Sequence, residues 1–352
     1  MENNFKKIIL DNYGIEIIDF EVLSGGWMNK KYLVTSRDNK KYVIKFFSSE
    51  KVKKMSKGEF STNYLDNQLA NNLKIENYMN DNGLYCEKIF LTHDNKILFS
   101  YEEDRLAVIE YLNGKYISRD DISIEQLYNL GNECAKMHLL FRNVNSSQYV
   151  GEYLKLPSIE RLFVNYEKKS EDKKEPVKQE YLDLLLKQKE CLINLKEHDI
   201  YINIPISLTH GDFADDNIIF YGDIPYILDF ELVRINSPLL DIGRIIMSYS
   251  FNNGSLNYEK RNSFLSGYNK TLKLQERDIL LSLVVVWINE VDMWIKKNYF
   301  NKTITEKAKR FQDELVYLTY NLSDIIKHYE NNGDLKDFCN VENFQMRLSK
   351  WE

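Results

Sequence analysis

The sequence predicts an α+β protein in two lobes, and three observations carry that expectation. The first hundred residues read as short strands around one long helix. Beyond Asn113-Gly114 the apolar spacing turns helical almost to the end. One small hairpin, at 218–228, interrupts those helices and carries acidic groups at both its ends. A length of 352 residues suits a lobe at 1–112 and a larger one at 113–352.

The strand readings come from residue type and punctuation. Residues 20–23, 31–35 and 41–47 are β-type runs. Ser24-Gly25-Gly26 separates the first two, and Arg37-Asp38-Asn39-Lys40 the second and third. Residues 56–81 lack proline and place Leu65, Leu69, Leu73, Tyr78 and Met79 near helical spacing, with Gly83 as the expected stop. Two more strands follow at 97–101 and 106–111, which makes five strands and one helix for the first lobe. Residues 124–142 carry an amphipathic stripe. Residues 160–197 are charged and helical with a break near Pro176, and helix resumes from Tyr258.

Composition excludes several classes. Lys and Arg number 47 against 53 Asp and Glu, a net charge of −6, which argues against a general nucleic-acid binder. The four cysteines form no Cys-x-x-Cys pair and the five histidines lack metal-ligand spacing, so neither a disulfide framework nor a zinc site is expected and a reducing cytoplasm is the default. The run Ile8-Ile9-Leu10 is too short for a secretory leader. The most apolar stretch, 279–288, is too short to span a membrane and reads as a buried helix.

The chemistry is concentrated in Thr209-His210-Gly211-Asp212-Phe213-Ala214-Asp215-Asp216-Asn217 and Leu228-Asp229-Phe230-Glu231. Phosphoryl transfer asks a protein for a carboxylate to meet the acceptor hydroxyl and for oxygen ligands to Mg²⁺. His-x-Asp, four residues, Asn, then an Asp-Phe pair is the form of a kinase catalytic loop followed by its metal aspartate. Here Gly222-Asp223 turns the chain so that Asp229 returns beside Asn217.

These motifs resemble the aminoglycoside phosphotransferase and choline kinase superfamily, small-molecule kinases with a protein-kinase-like fold, in which Gly follows the catalytic-loop His. The resemblance extends over residues 20–250. Leu23-Ser24-Gly25-Gly26-x-x-Asn29 is similar to that family's nucleotide loop, Tyr42-Val43-Ile44-Lys45 to the strand bearing its phosphate-binding lysine, and 109–114 to the approach to its hinge. Leu239-Leu240-Asp241 resembles the segment whose aspartate braces the catalytic loop. Tyr85-Cys86 departs from the family, which often has Pro there.

The resemblance implies a nucleoside triphosphate donor (ATP or GTP), Mg²⁺, and a small hydroxyl acceptor. Asp212 is then the base, Asn217 and Asp229 the metal ligands, and His210 and Asp241 braces. Ser24, Gly25, Gly26, Asn29 and Lys45 meet the phosphates, and backbone groups of Glu110 and Leu112 meet the purine. Glu59 or Glu76 should pair with Lys45. Asp215, Asp216 and Glu231 are candidate substrate contacts. With Glu290 and Asp292 they favour a cationic acceptor, an aminoglycoside-like polyamine ahead of choline, homoserine or a sugar. An aromatic set, Trp287, Trp294, Tyr299 and Phe300, is read as core packing ahead of a cage for a quaternary ammonium. A protein kinase is disfavoured by Gly211 and by the lack of Ala-Pro-Glu after Asp229. A spore-coat-like or nucleotide-binding protein of the same fold is the alternative without turnover.

Overall fold

Three successive antiparallel pairings build the sheet on which everything else in the first hundred residues rests. Strands β1 (Ile17–Leu23), β2 (Lys30–Ser36) and β3 (Lys41–Phe47) form a meander, and β3 pairs in turn with β6 (Asp104–Glu110). The short strands β4 (Ile89–Phe90) and β5 (Phe99–Tyr101) both pair with β6, so the sheet has six strands in the order β1-β2-β3-β6-β4, with β5 on β6. The computed structural model describes residues 2–23, 29–48, 50, 61–144, 156–172, 177–252 and 254–331. The expected nucleotide-loop residues Ser24, Gly25 and Gly26, and Glu59, lie outside them.

The sheet is apolar on both faces because β2, β3 and β6 alternate side chains between two cores. One core contains Val34, Ile44, Leu106 and Val108 with Phe5 and Ile9 of helix α1 (Glu2–Tyr13), ringed by Tyr32, Phe46 and Tyr101. The other contains Val43, Ala107 and Ile109 with Leu73 and Leu69 of helix α2 (Thr62–Asp81). Ser61 caps α2 by accepting from the Tyr64 N–H, so the helix starts later than its apolar spacing suggested. Two elements of this lobe were not expected: α1, whose apolar face is only Phe5 and Ile9, and the two-residue strand β4.

The described residues fall into two compact units. One is drawn from Met1–Tyr116, Asn143–Gly151 and Asn217–Val233, the other from Ile117–Arg142, Glu152–Asp216 and Arg234–Glu352. The hairpin β8 (Ile218–Tyr221) and β9 (Ile224–Ile227) therefore packs with the sheet. Its Gly222 has φ +59, which the tight turn requires. Phe220 exchanges backbone hydrogen bonds with Lys115, and the Ile227 N–H donates to the Tyr85 carbonyl.

The second unit is mainly helical. Its helices include α3 (Ile124–Asn143), α4 (Ile159–Glu171), α5 (Gln179–Glu197), α6 (Pro238–Ser250), α7 (Tyr258–Thr271), α8 (Glu276–Trp294), α9 (Lys297–Asn301) and α10 (Glu306–Glu330). Strands β7 (Ser207–Thr209) and β10 (Arg234–Asn236) pair at its catalytic-loop end. Residues 279–288 of α8 are buried throughout, as their composition required. Helices α3 and α7 cross where Gly131 lies against the Phe264 carbonyl and Gly267 against the Tyr128 carbonyl, a separation with no room for a Cβ. No helix among the described residues is long and apolar enough to cross a membrane. Cys86, Cys134 and Cys191 are buried free thiols, and burial pushes each of them up.

Candidate active site

The loop after β7 is held by one buried carboxylate. Asp241, near the start of α6, accepts from the His210 N–H (3.0 Å) and the Gly211 N–H (3.4 Å) and lies 3.2 Å from His138 Nε2. His138 Nδ1 in turn meets the Tyr268 hydroxyl at 2.9 Å. Ser237 caps α6 and Pro238 takes its first turn, which fixes where Asp241 emerges. His210 is fully buried, and its Nδ1 accepts the Asp212 N–H at 3.4 Å. Gly211 has φ +83, and Arg234 donates to its carbonyl at 2.9 Å. Four backbone or ring contacts thus shape a turn that leaves Asp212 exposed at its tip. His210 and Asp241 sit as braces would.

In the same unit, Asp215 and Asp216 are tied down. Arg310 of α10 clasps Asp215 through two guanidinium N–H groups, at 2.5 and 2.6 Å, and Lys307 binds Asp216. Glu290 pairs with Arg244 at 3.3 Å, and Asp292 accepts from Lys169 and Asn165. The acidic face inferred from sequence therefore has a basic or amide partner at each of these four carboxylates, and its field is weaker than the residue types alone suggest. Glu290 differs from the rest. Burial, opposed by Arg244 and reinforced by Glu314 and Asp212, pushes its carboxyl up to about 7, with Trp294 hydrogen-bonded to it. Trp294 is half-buried and stacks on Phe311 at 4.8 Å. Trp287 is core, donating to the Thr319 hydroxyl at 2.9 Å, and Phe300 packs on Tyr181.

The first unit gathers a second cluster. The Leu228 N–H donates to the Asn217 carbonyl at 2.9 Å, so the hairpin sets Asp229 beside Asn217 as its turn predicted. Asp229 has φ +71, a left-handed conformation that costs a non-glycine residue about 1 kcal/mol, and its N–H donates to Glu87 Oε2 at 3.3 Å. Lys45 Nζ lies 2.6 Å from Asp229 Oδ1 and 2.8 Å from Glu231 Oε2. Burial alone pulls Lys45 down, but the charges of Asp229 and Glu231 outweigh it and hold the ammonium firmly protonated. Asn29 donates to both oxygens of Glu231, at 3.1 and 2.8 Å. Asn72 of α2 fixes the following turn by donating to the Glu231 and Val233 carbonyls.

Some expected partners differ. Glu231 faces Lys45 and Asn29, which makes it part of the lysine's cluster. Glu76, expected to pair with Lys45, is buried nearby, but the lysine's ion pairs are to Asp229 and Glu231; burial followed by the charge of Glu87 pushes the Glu76 carboxyl well up. Glu87 is raised mainly by burial, against the pull of Lys31 and Lys45. Glu87, Asn72 and Lys31 were missed in the sequence, since none belongs to a motif and each is brought in by the sheet or by α2. The Glu110 N–H is already donated to the Lys88 carbonyl, so of the backbone groups of Glu110 and Leu112 expected to meet a purine, this one is occupied.

A divalent cation and a phosphate chain fit this second cluster. Asp229, Glu231, Glu76 and Glu87 bring four carboxylates to two ammonium groups, and Glu76 Oε1 is buried without a hydrogen-bond partner among the described residues. The donors are hard oxygens, as Mg²⁺ prefers. The described residues contain no group of three or more His, Cys, Asp or Glu arranged as a complete metal site.

The first unit thus holds a sheet-borne lysine ion-paired to an aspartate after a hairpin, and the second a braced His-x-Asp loop. Residues 19–270 match the phosphotransferase enzyme family, and the chain belongs to it. It has the α+β fold of the similar solved structures, an antiparallel sheet followed by a mainly helical remainder. A homoserine kinase of Sinorhizobium fredii (strain NBRC 101917 / NGR234) is 24% identical over 209 residues, which cover 59% of this chain and 60% of that protein. Among solved structures, an amicoumacin kinase in complex with AMP-PNP, Ca²⁺ and its antibiotic aligns with TM-score 0.63 at 15% identity, over 92% of this chain and 93% of that one. A microcompartment-associated aminopropanol kinase also gives 0.63, at 12% identity over 94% and 98%. The choline kinase of Streptococcus pneumoniae gives 0.58, at 18% identity over 91% and 99%.

Proposed function

We propose that this chain transfers the γ-phosphate of ATP or GTP, with Mg²⁺, to a hydroxyl of a small amino alcohol. The observation that carries the reading is the pairing of Lys45 with Asp229 at 2.6 Å on the turn that the hairpin returns to Asn217. Residues 1–112 serve the nucleotide, with Lys45 and Asn29 toward its phosphates and the hinge-side carbonyl of Glu110 and backbone of Leu112 toward its base. Asp229 and Asn217 would hold the metal, which supplies charge neutralisation on the phosphate oxygens when bound. The rest of 113–352 serves the acceptor. Exposed Asp212 orients its hydroxyl and takes the proton late, while Asp241 and His210 keep the loop in shape.

For the acceptor, the paired states of Asp215, Asp216 and Asp292 lower the case for a polycationic aminoglycoside. Glu290, on which the charge of Asp212 acts and which lies beside half-buried Trp294, is held to Arg244 at 3.3 Å, longer than the contacts at Asp215 and Asp292, and so offers the more available carboxylate next to an aromatic face. That pairing suits one ammonium group on a compact alcohol. Kinases for aminopropanol, choline and homoserine among the similar proteins support the same class. An aminoglycoside, and with it a role in antibiotic resistance, is the second reading, supported by the likeness to a solved aminoglycoside phosphotransferase. The reducing cytoplasm suits the three buried thiols. The test is nucleoside-diphosphate release with ATP or GTP, with and without Mg²⁺, across aminopropanol, ethanolamine, choline, homoserine, kanamycin and neutral sugars. Metal-dependent turnover with a mono-ammonium alcohol is expected. Turnover with neutral sugars alone would overturn the acceptor class and leave the kinase reading standing.

A further inference from the structure

We propose that Lys31 is a second phosphate-binding cation of the nucleotide site, working as a pair with Lys45 across strands β2 and β3. The proposal rests on the nucleotide-dependent reading above. Lys31 and Lys45 are register partners on these antiparallel strands. Residues directly opposite share a sheet face, with Cβ atoms about 5 Å apart, and like charges in that position repel. Here the repulsion is met by Asp229, whose two carboxylate oxygens each face one ammonium: Oδ1 lies 2.6 Å from Lys45 Nζ and Oδ2 3.5 Å from Lys31 Nζ.

The two lysines are not equivalent. Lys45 is locked between Asp229 and Glu231, with its side chain 5% exposed. Among the described residues Lys31 makes one long contact, to Asp229, and its side chain is 26% exposed. A flexible four-carbon stem ending in a point charge can leave a 3.5 Å contact for a phosphate oxygen at little cost. The chemistry of the cluster also calls for a second cation. A phosphate chain brought up to Asp229 also meets Glu231, paired with Lys45, and Glu87, which accepts the Asp229 N–H. Lys45 is already committed to two of those carboxylates. Lys31 supplies positive charge from the more exposed of the two positions, two residues after Asn29 on the strand that follows Ser24-Gly25-Gly26 in sequence.

The experiment is equilibrium binding of Mg²⁺·ATP, Mg²⁺·GTP and the matching nucleosides by calorimetry, for the wild type, Lys31→Met, Lys31→Arg and Lys45→Met, with circular dichroism to show that each is folded. Lys31→Met is expected to weaken triphosphate binding about tenfold, the worth of one charge-assisted hydrogen bond at a partly open site, and to leave nucleoside binding unchanged. Lys31→Arg should stay within about threefold of wild type, since it keeps the charge. Unchanged or tighter triphosphate binding by Lys31→Met, or an equal loss of nucleoside binding, overturns the assignment. If the wild type itself binds neither triphosphate, the nucleotide-dependent function fails and Lys31 falls with it. If the wild type binds and only Lys45→Met is impaired, the function stands and Lys31 alone is excluded.

Discussion

Replacing Lys45 by methionine removes the ammonium that faces both Asp229 and Glu231 and should make the protein's stability depend on pH in a defined way. Lys45 is buried, and breaking a buried ion pair by removing one partner costs roughly 3–5 kcal/mol because the other charge is left uncompensated. The carboxylates can escape part of that cost by holding a proton. Burial pushes Glu231 up to about 7 even with Lys45 pulling it down, so without the lysine its folded-state pKa rises further. A carboxyl raised in the folded state gives stability that is present below its unfolded pKa and lost as pH climbs to the folded one. In the wild type the Glu231 contribution fades up to about pH 7. In Lys45→Met it keeps fading above that, by about 1.4 kcal/mol per pH unit for one carboxyl. Urea denaturation at pH 5.5, 7.0 and 8.5 reads the gap between the two proteins. The gap should widen by about 1–2 kcal/mol between the upper two values. A gap that is constant or narrows would refute the view that Lys45 neutralises this cluster.

Glu290→Gln should flatten the wild type's loss of stability with rising pH. The native carboxyl, raised to about 7, holds a proton that the unfolded chain releases above its ordinary range, and thermal melts from pH 5 to 7.5 check the slope. The same slope in both proteins would show that Glu290 ionises normally. Gly131→Ala should destabilise by about 2–3 kcal/mol in urea, because its Cβ would lie 1.9 Å from the Phe264 carbonyl oxygen and helices α3 and α7 would have to part. A change below about 0.5 kcal/mol would mean the crossing is looser than described.

The parts of the site that local sequence dictates were legible in it. His210, Gly211 and Asp212 sit on one turn, and Gly222 closes the hairpin that returns Asp229 beside Asn217, so spacing conveyed each of these relations. The strands carrying Lys45 showed the period-2 pattern that two apolar cores impose. What was not legible depends on partners distant in sequence. Arg310 reaches Asp215 from 95 positions away, and Lys307 reaches Asp216 from 91, so those aspartates read as open acidic residues. Glu87 lies in a segment with no periodicity, and only the sheet brings it to the Asp229 N–H. Helix α1 was hidden because two buried side chains, Phe5 and Ile9, make a faint stripe. Strand β4 was hidden because two residues carry no period.

The central claim is that Asp212 serves the acceptor hydroxyl while a separate cluster around Lys45 and Asp229 holds the nucleotide. Its most direct test is a paired measurement on Asp212→Asn: kcat with the best acceptor from the panel, and Kd for the nucleoside triphosphate with Mg²⁺. The account predicts a fall in kcat of about 10²-fold or more, the usual worth of a general base, with the nucleotide Kd within about threefold of wild type. Turnover within a few-fold of wild type would contradict it.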